Sequence, residues 1–170
     1  AVKKLSFCGK NIWGIAGNEN ETWLFSVAEK SISGVQKISG SAAPKALGCK
    51  NEEPAVLLSN GTLCDGKGAE LLQLPGGVVN ADACGSVFGG LLDNGKLFLA
   101  NLKNNVIKSA DVPVKGEVSA AFGIGENVMY GVCGYGEIFF FDGEKAVLTG
   151  CRMPGFAGRA VYNQAGALLL

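Results

Sequence analysis

The sequence predicts an all-β fold, a small β-propeller of about five short blades, from three observations. One hairpin unit recurs along the 170 residues, glycine is abundant with 26 residues, and no long segment keeps a helical period without an interrupting glycine. A unit of four short strands in roughly 35–45 residues is typical of a propeller blade. We therefore expect a single repeat domain over residues 1–170, in which neighbouring blades bury each other's faces.

The recurring hairpin has a glycine at its turn and an apolar residue two positions later. The turn glycines are Gly61, Gly95, Gly136 and Gly166. Two of the turns are Asn60-Gly61 and Asn94-Gly95, and Asn-Gly favours a tight hairpin because both residues accept a positive φ. The first unit lacks a glycine at the tip, and we expect its turn between Asn18 and Glu21.

Short strands are expected on both sides of each hairpin. Runs of small or sulfur-bearing residues precede the hairpins at 5–8, 45–49, 82–84 and 120–123, and apolar runs follow them at 35–38, 71–74, 106–107 and 147–148. The small residues suit an inner strand, where blades crowd toward an axis. The apolar residues after the turns are expected between the blades, at Leu63, Leu97, Ile138 and Leu168.

The number of blades follows from the number of units. Four full units end near residue 151, and residues 152–170 hold one further hairpin. The sequence leaves three arrangements open. They are a five-bladed ring with a reduced last blade, a part of a larger ring, and a partial ring completed by another chain, for example in a homo-oligomer.

Composition argues against several classes of function. The 15 basic and 15 acidic residues balance and only two residues are arginine, so we expect no nucleic-acid partner. No apolar run approaches the ~20 residues of a membrane helix. The absence of histidine removes the usual catalytic triads and the commonest zinc ligand. We therefore expect no enzyme activity, catalytic residue, metal or cofactor.

The six cysteines are expected to be free and buried. They are Cys8, Cys49, Cys64, Cys84, Cys133 and Cys151. Cys8, Cys49 and Cys84 occupy equivalent positions on separate repeats, which suits small apolar side chains. Disulfides, and a metal-binding or reactive thiol, remain alternatives. Buried free thiols slightly favour an intracellular location, and the compartment is otherwise open.

Aromatic residues are the candidate binding groups. Trp13, Trp23 and Tyr135 are predicted to contact a ligand or partner, because an aromatic ring can stack on the apolar face of a sugar or anchor a protein contact. Packing in the core is the alternative. It is favoured for Phe88 and Tyr130, which also precede a glycine, and both interpretations stay open for the two tryptophans.

Two segments, residues 7–15 and 122–132, resemble tectonin-type propeller repeats, in which a glycine and a short gap precede an aromatic residue, a glycine and an aliphatic residue. Val87-Phe88-Gly89-Gly90 is similar to the double glycine of kelch repeats, but it occurs once. The tectonin-like resemblance implies a lectin or a protein scaffold. We expect a non-enzymatic module that binds another protein, with a carbohydrate-binding lectin bearing shallow sites on each blade as the alternative.

Overall fold

The computed structural model describes residues 2–28, 31–38, 42–113, 118–133, 136–152, 161–162 and 168–169. Within these residues all regular elements are β-strands, so the predicted all-β class is confirmed. The same residues contain no helix with the length and apolar character needed to cross a membrane.

The strands form four antiparallel sheets of four strands and one sheet of two, each in chain order. Sheet 1 contains β1 (Val2–Cys8), β2 (Asn11–Asn18), β3 (Glu21–Ala28) and β4 (Ser31–Ile38). Sheet 2 contains β5 (Pro44–Lys50), β6 (Glu53–Leu58), β7 (Thr62–Asp65) and β8 (Glu70–Gln73). Sheet 3 contains β9 (Val78–Cys84), β10 (Val87–Leu92), β11 (Lys96–Asn101) and β12 (Val106–Asp111). Sheet 4 contains β13 (Val118–Ile124), β14 (Met129–Cys133), β15 (Glu137–Phe141) and β16 (Ala146–Arg152), and sheet 5 contains β17 (Val161–Tyr162) and β18 (Leu168–Leu169).

The first strand of each four-stranded sheet is the inner one. β1 lies beside β5, β5 beside β9, and β9 beside β13, while β17 of the last sheet also contacts β13. Lys4 of β1 reaches Asp82 of β9, with 3.3 Å between Nζ and Oδ2, so the inner strands of sheets 1 and 3 approach one another. The predicted small-residue strands are therefore inner strands, as expected.

Each sheet has a forward face toward the next sheet and a back face toward the preceding one. Alternate residues of a strand point to opposite faces, so every strand contributes to both. Three buried apolar clusters join the forward face of one sheet to the back face of the next. Between sheets 2 and 3, for example, Leu57 and Leu63 meet Phe88 and Phe98, and all four are fully buried. The core is thus a series of layers between sheets.

The predicted hairpin turns are confirmed where the structure describes them. Gly61, Gly95 and Gly136 have φ values of 86°, 81° and 103°, and the first hairpin turns between Asn18 and Glu21. Gly166 lies outside the described residues.

The predicted layer of apolar residues is confirmed at Leu63 and Leu97, which are fully buried. Ile138 occupies the equivalent register position, opposite Val132, but is only half-buried. The reason is its location on the forward face of sheet 4, beyond the last four-stranded interface. The side chain of Leu168 lies outside the described part of the chain.

The prediction that the cysteines are free and buried is partly wrong. Cys8 and Cys49 form a disulfide, with their Cα atoms 5.4 Å apart, because β1 and β5 are neighbouring inner strands. Cys64 and Cys133 are free and buried, as predicted, whereas Cys84 and Cys151 are free and exposed. The argument from buried thiols for an intracellular location therefore loses its basis.

Candidate functional site

The two tryptophans predicted to bind a ligand lie on opposite faces of sheet 1. Trp13 is on the forward face, where it is half-buried against the apolar cluster between sheets 1 and 2. Its Nε1 is buried and has no hydrogen-bond partner among the described residues. Trp23 pairs with Ala16 and lies on the back face. The structure therefore does not bring these residues into one site.

Trp23 already has a cation on its ring. The Lys37 ammonium lies 5.6 Å from the ring centroid and 3.4 Å from Oε2 of Glu21, so the lysine bridges the indole and a carboxylate. Tyr135, the third predicted binding residue, lies outside the described residues. The two tryptophans, which are the predicted binding residues that the structure describes, do not form a common platform.

A groove on the turn face is the site that the fold itself forms. In each four-stranded sheet, a turn connects the inner strand to the second strand, at residues 9–10, 51–52, 85–86 and 125–128. We call the end of the sheets that carries these four turns the turn face. A cavity of about 580 Å³ opens there. It is lined by Cys49, Asn51, Glu52, Cys84, Gly85, Ser86, Val87, Asn101, Lys103 and Glu126.

A smaller cavity of about 40 Å³ continues the groove outward between sheets 3 and 4. The two cavities share Val87, Asn101 and Glu126, and the smaller one reaches Val106 and Lys108 on β12. We call the combined depression the turn-face groove. It extends from the inner strands of sheets 2 and 3 toward the outer edge of sheet 3.

Backbone hydrogen bonds, one between sheets 2 and 3 and one within sheet 3, fix the walls of the groove. Cys49 N–H donates to the Gly85 carbonyl at 2.7 Å and joins β5 to the turn of sheet 3, and Leu102 N–H donates to the Ser86 carbonyl at 2.9 Å. Asn51 and Glu52 both have positive φ, 51° and 66°, which closes the β5–β6 turn in two residues. The groove is therefore preformed.

Asparagines shape the loop at the outer end of the groove. Asn101 Oδ1 accepts a hydrogen bond from Lys103 N–H at 2.9 Å, and Asn104 Oδ1 accepts one from Val106 N–H at 3.3 Å. Such local bonds replace ladder bonds and turn the chain. Asn105 has a φ of 54° in the same turn. The asparagines at the end of β11 and in the turn that follows are a signal in the sequence that could have indicated this loop.

The groove has a buried apolar floor and a charged, exposed rim. Val87 and Leu99 are buried, whereas Glu52, Lys103 and Glu126 are exposed. Among the residues that the structure describes, no cluster of three or more cysteine, aspartate or glutamate side chains could hold a metal. What the arrangement offers is a short apolar floor between hydrogen-bonding and charged groups.

Comparison with known proteins identifies the fold and gives no family. No family model and no curated sequence matches the chain. Solved structures match at low identity. The C-terminal WD40 domain of Sif2 has a TM-score of 0.62 at 16% identity, covering 95% of this chain and 52% of that chain. The computationally designed Ika8 protein has a TM-score of 0.58 at 14% identity, and the match covers 87% of this chain and 48% of that chain. BamB from Moraxella catarrhalis has a TM-score of 0.56 at 15% identity, and the match covers 91% of this chain and 50% of that chain.

The fold is a β-propeller. At these identities the likeness establishes the architecture alone, and it does not distinguish a tectonin-like from a kelch-like subtype. The chain spans about half the length of the solved structures named above. In the propeller arrangement, the turn-face groove begins where the inner strands end and follows the gap between two blades.

Proposed function

We propose that this propeller is a non-enzymatic module that binds another protein through the turn-face groove. The observation that supports it most directly is the preformed cavity of about 580 Å³ between the turns of sheets 2, 3 and 4. Its continuation between sheets 3 and 4 gives it an elongated shape, which suits an extended peptide segment better than a compact small molecule.

The chemistry of the groove indicates the kind of segment it would bind. Glu52 and Glu126 place two carboxylates on the rim of the larger cavity, beside the ammonium of Lys103, and Lys108 adds a second ammonium at the smaller cavity. The larger cavity therefore favours a basic side chain of the bound segment, and an arginine could bond a carboxylate with two hydrogen bonds. A small apolar side chain beside it would contact Val87 and Leu99 on the floor.

The comparisons support this proposal only through the architecture. A propeller presents rigid turns at the ends of its blades, and binding residues are often carried by loops on such rigid scaffolds. The glycan-binding alternative remains a prediction. It is less favoured, because Trp13 packs against the core and Trp23 has Lys37 over its ring. The absence of enzyme activity remains a prediction as well.

Charge reversal at the groove tests the proposal. A peptide display library would be selected on the immobilised wild-type chain, and each selected peptide would be titrated against Glu126→Lys. Because Glu126 lines both cavities, we expect the variant to bind the selected peptides at least 10-fold more weakly. We also expect the peptides to share a basic residue.

Glu19→Lys is the matched control. Glu19 is an exposed glutamate in the β2–β3 turn, at the opposite end of the sheets from the groove. The Glu19→Lys variant should bind the selected peptides as tightly as the wild type does. Selection of no peptide above background, or equal binding by the wild type and Glu126→Lys, would refute the proposal. A parallel glycan array tests the alternative, which would gain support if a sugar class bound and a Trp23→Ala variant lost it.

A further inference from the structure

Ser86 is a buried polar residue in the turn-face groove. It lies in the turn between β9 and β10, has 8% of its surface accessible, and lines the larger cavity. Ser86 and Thr22 are the two buried polar residues in the part of the chain that the structure describes. The Thr22 hydroxyl donates to the Ala42 carbonyl at 2.9 Å, whereas no described residue forms a hydrogen bond with the Ser86 hydroxyl.

The Ser86 hydroxyl can be reached from the cavity. Among the described residues, the side-chain polar atom that is both fully enclosed and without a partner is Trp13 Nε1, so Ser86 Oγ keeps some accessible surface. A hydroxyl offers one donor and two acceptor positions, and buried polar groups are normally paired. A ligand that enters the larger cavity can therefore gain a hydrogen bond that the protein itself does not use.

Backbone hydrogen bonds hold the Ser86 turn in place from two sides. The Gly85 carbonyl accepts a bond from Cys49 N–H of β5 at 2.7 Å, and the Ser86 carbonyl accepts one from Leu102 N–H at 2.9 Å. The turn is thus tied to sheet 2 and to the segment that follows β11. A hydrogen-bonding group that is fixed before binding costs little entropy to use.

Asn101 supplies a second donor next to this turn. It directly precedes Leu102 and lines both cavities. Its Oδ1 accepts the hydrogen bond from Lys103 N–H at 2.9 Å, which directs the Nδ2 amino group away from that bond. None of the described residues accepts a hydrogen bond from Nδ2. Ser86 and Asn101 therefore offer donors along the same groove.

The charge of the larger cavity indicates which acceptor these donors would bind. Glu52 and Glu126 contribute two carboxylates there, against the ammonium of Lys103. Like charges placed together disfavour a partner, so a phosphate or carboxylate is a poor acceptor at this site. A main-chain carbonyl is a neutral acceptor, and an extended peptide segment presents one at every residue.

We propose that Ser86 and Asn101 hold main-chain carbonyl oxygens of the bound peptide segment. The inference rests on the proposed function and deepens it, because the groove then recognises the backbone of the segment as well as a basic side chain. Backbone recognition does not depend on sequence. Removal of the Ser86 hydroxyl should therefore weaken all selected peptides alike, by about fivefold for one neutral hydrogen bond.

Ser86→Ala and the control Ser31→Ala provide the first test. Both variants would be titrated with the peptides selected on the wild-type chain. We expect Ser86→Ala to bind every selected peptide about fivefold more weakly. Its urea midpoint should equal that of the wild type, because no described residue bonds the hydroxyl. Ser31 is an exposed serine of β4 outside the groove, and Ser31→Ala should bind as the wild type does.

A thioamide scan of one selected peptide identifies the acceptor. Replacing a main-chain carbonyl oxygen by sulfur weakens the acceptor and keeps the neighbouring N–H. We expect at least one thioamide position to weaken binding to the wild type. The same position should have no further effect on Ser86→Ala, because the donor is already absent and the two changes are coupled.

The results separate this inference from the proposed function. If the selected peptides bind and Glu126→Lys weakens them, the proposed function stands. The carbonyl subsite is then overturned by a Ser86→Ala variant that binds as tightly as the wild type, or by thioamide losses that are equal in both proteins. If no peptide is selected, the proposed function and this inference fail together. Circular dichroism verifies that each variant is folded.

Discussion

At the scale of single residues, a disulfide joins the inner strands of sheets 1 and 2. These neighbouring strands bring Cys8 and Cys49 to a Cα distance of 5.4 Å, within the range that a disulfide requires. Repeat position alone could not reveal this, because the distance depends on how closely two sheets approach at the axis.

The disulfide is expected to stabilise the fold. It closes a loop with a sequence separation of 41 residues, and such cross-links typically contribute about 2–4 kcal/mol. We expect Cys8→Ser/Cys49→Ser to lower the free energy of unfolding by that amount in urea denaturation. Cys84→Ser, at an exposed free thiol, is the control and should change little. Equal stability of the double variant and the wild type would contradict the predicted cross-link.

A buried thiol is expected to lower the stability of the fold at alkaline pH. Burial, and to a lesser extent the Asp65 carboxylate, raises the pKa of Cys64 from 9.0 to about 11. The unfolded chain therefore releases this proton at lower pH than the folded chain, so the contribution is complete below pH 9 and is lost as pH rises toward 11. Urea titrations from pH 8 to 11 should show a smaller decline for Cys64→Ala than for the wild type. Identical pH profiles would exclude this assignment.

At the scale of elements, turn chemistry made the hairpins predictable. Asn-Gly and glycine turns are local signals, so the sequence located the hairpins of sheets 2, 3 and 4. The turn-face groove could not be located in this way. Its lining comes from turns of three different sheets, and residues such as Glu52 and Glu126 line one cavity only after the blades stack.

Two equivalent turn glycines should differ in their tolerance of a side chain. Gly61 and Gly95 both have positive φ, but an added Cβ would lie 2.3 Å from the Gly76 carbonyl oxygen at Gly61 and would meet nothing within 4 Å at Gly95. We expect Gly95→Ala to cost about 1 kcal/mol from backbone strain and Gly61→Ala about 2–3 kcal/mol, because the clash adds to that strain. Urea denaturation measures both, and equal costs would argue against the close approach.

At the scale of the whole molecule, the sheets stack because a single sheet cannot bury both of its apolar faces alone. Repetition of the hairpin unit predicted stacked blades, and three apolar clusters join the four complete sheets. Closure of the ring was not predictable, because it depends on what meets the two end faces. One of these end faces, the back face of sheet 1, carries exposed apolar side chains at Leu5, Phe7 and Ile32.

The most direct test of this account is a nuclear Overhauser experiment on the labelled protein. Stacking predicts contacts across each interface: Leu24 methyl protons with Gly66, Phe88 ring protons with Gly48, and the Ile124 δ-methyl with Gly89. In each pair an ideal Cβ on the glycine lies within 3.1 Å of the partner side chain. Observation of all three would establish the stacked propeller. Cross-peaks within the sheets with none between them would contradict it.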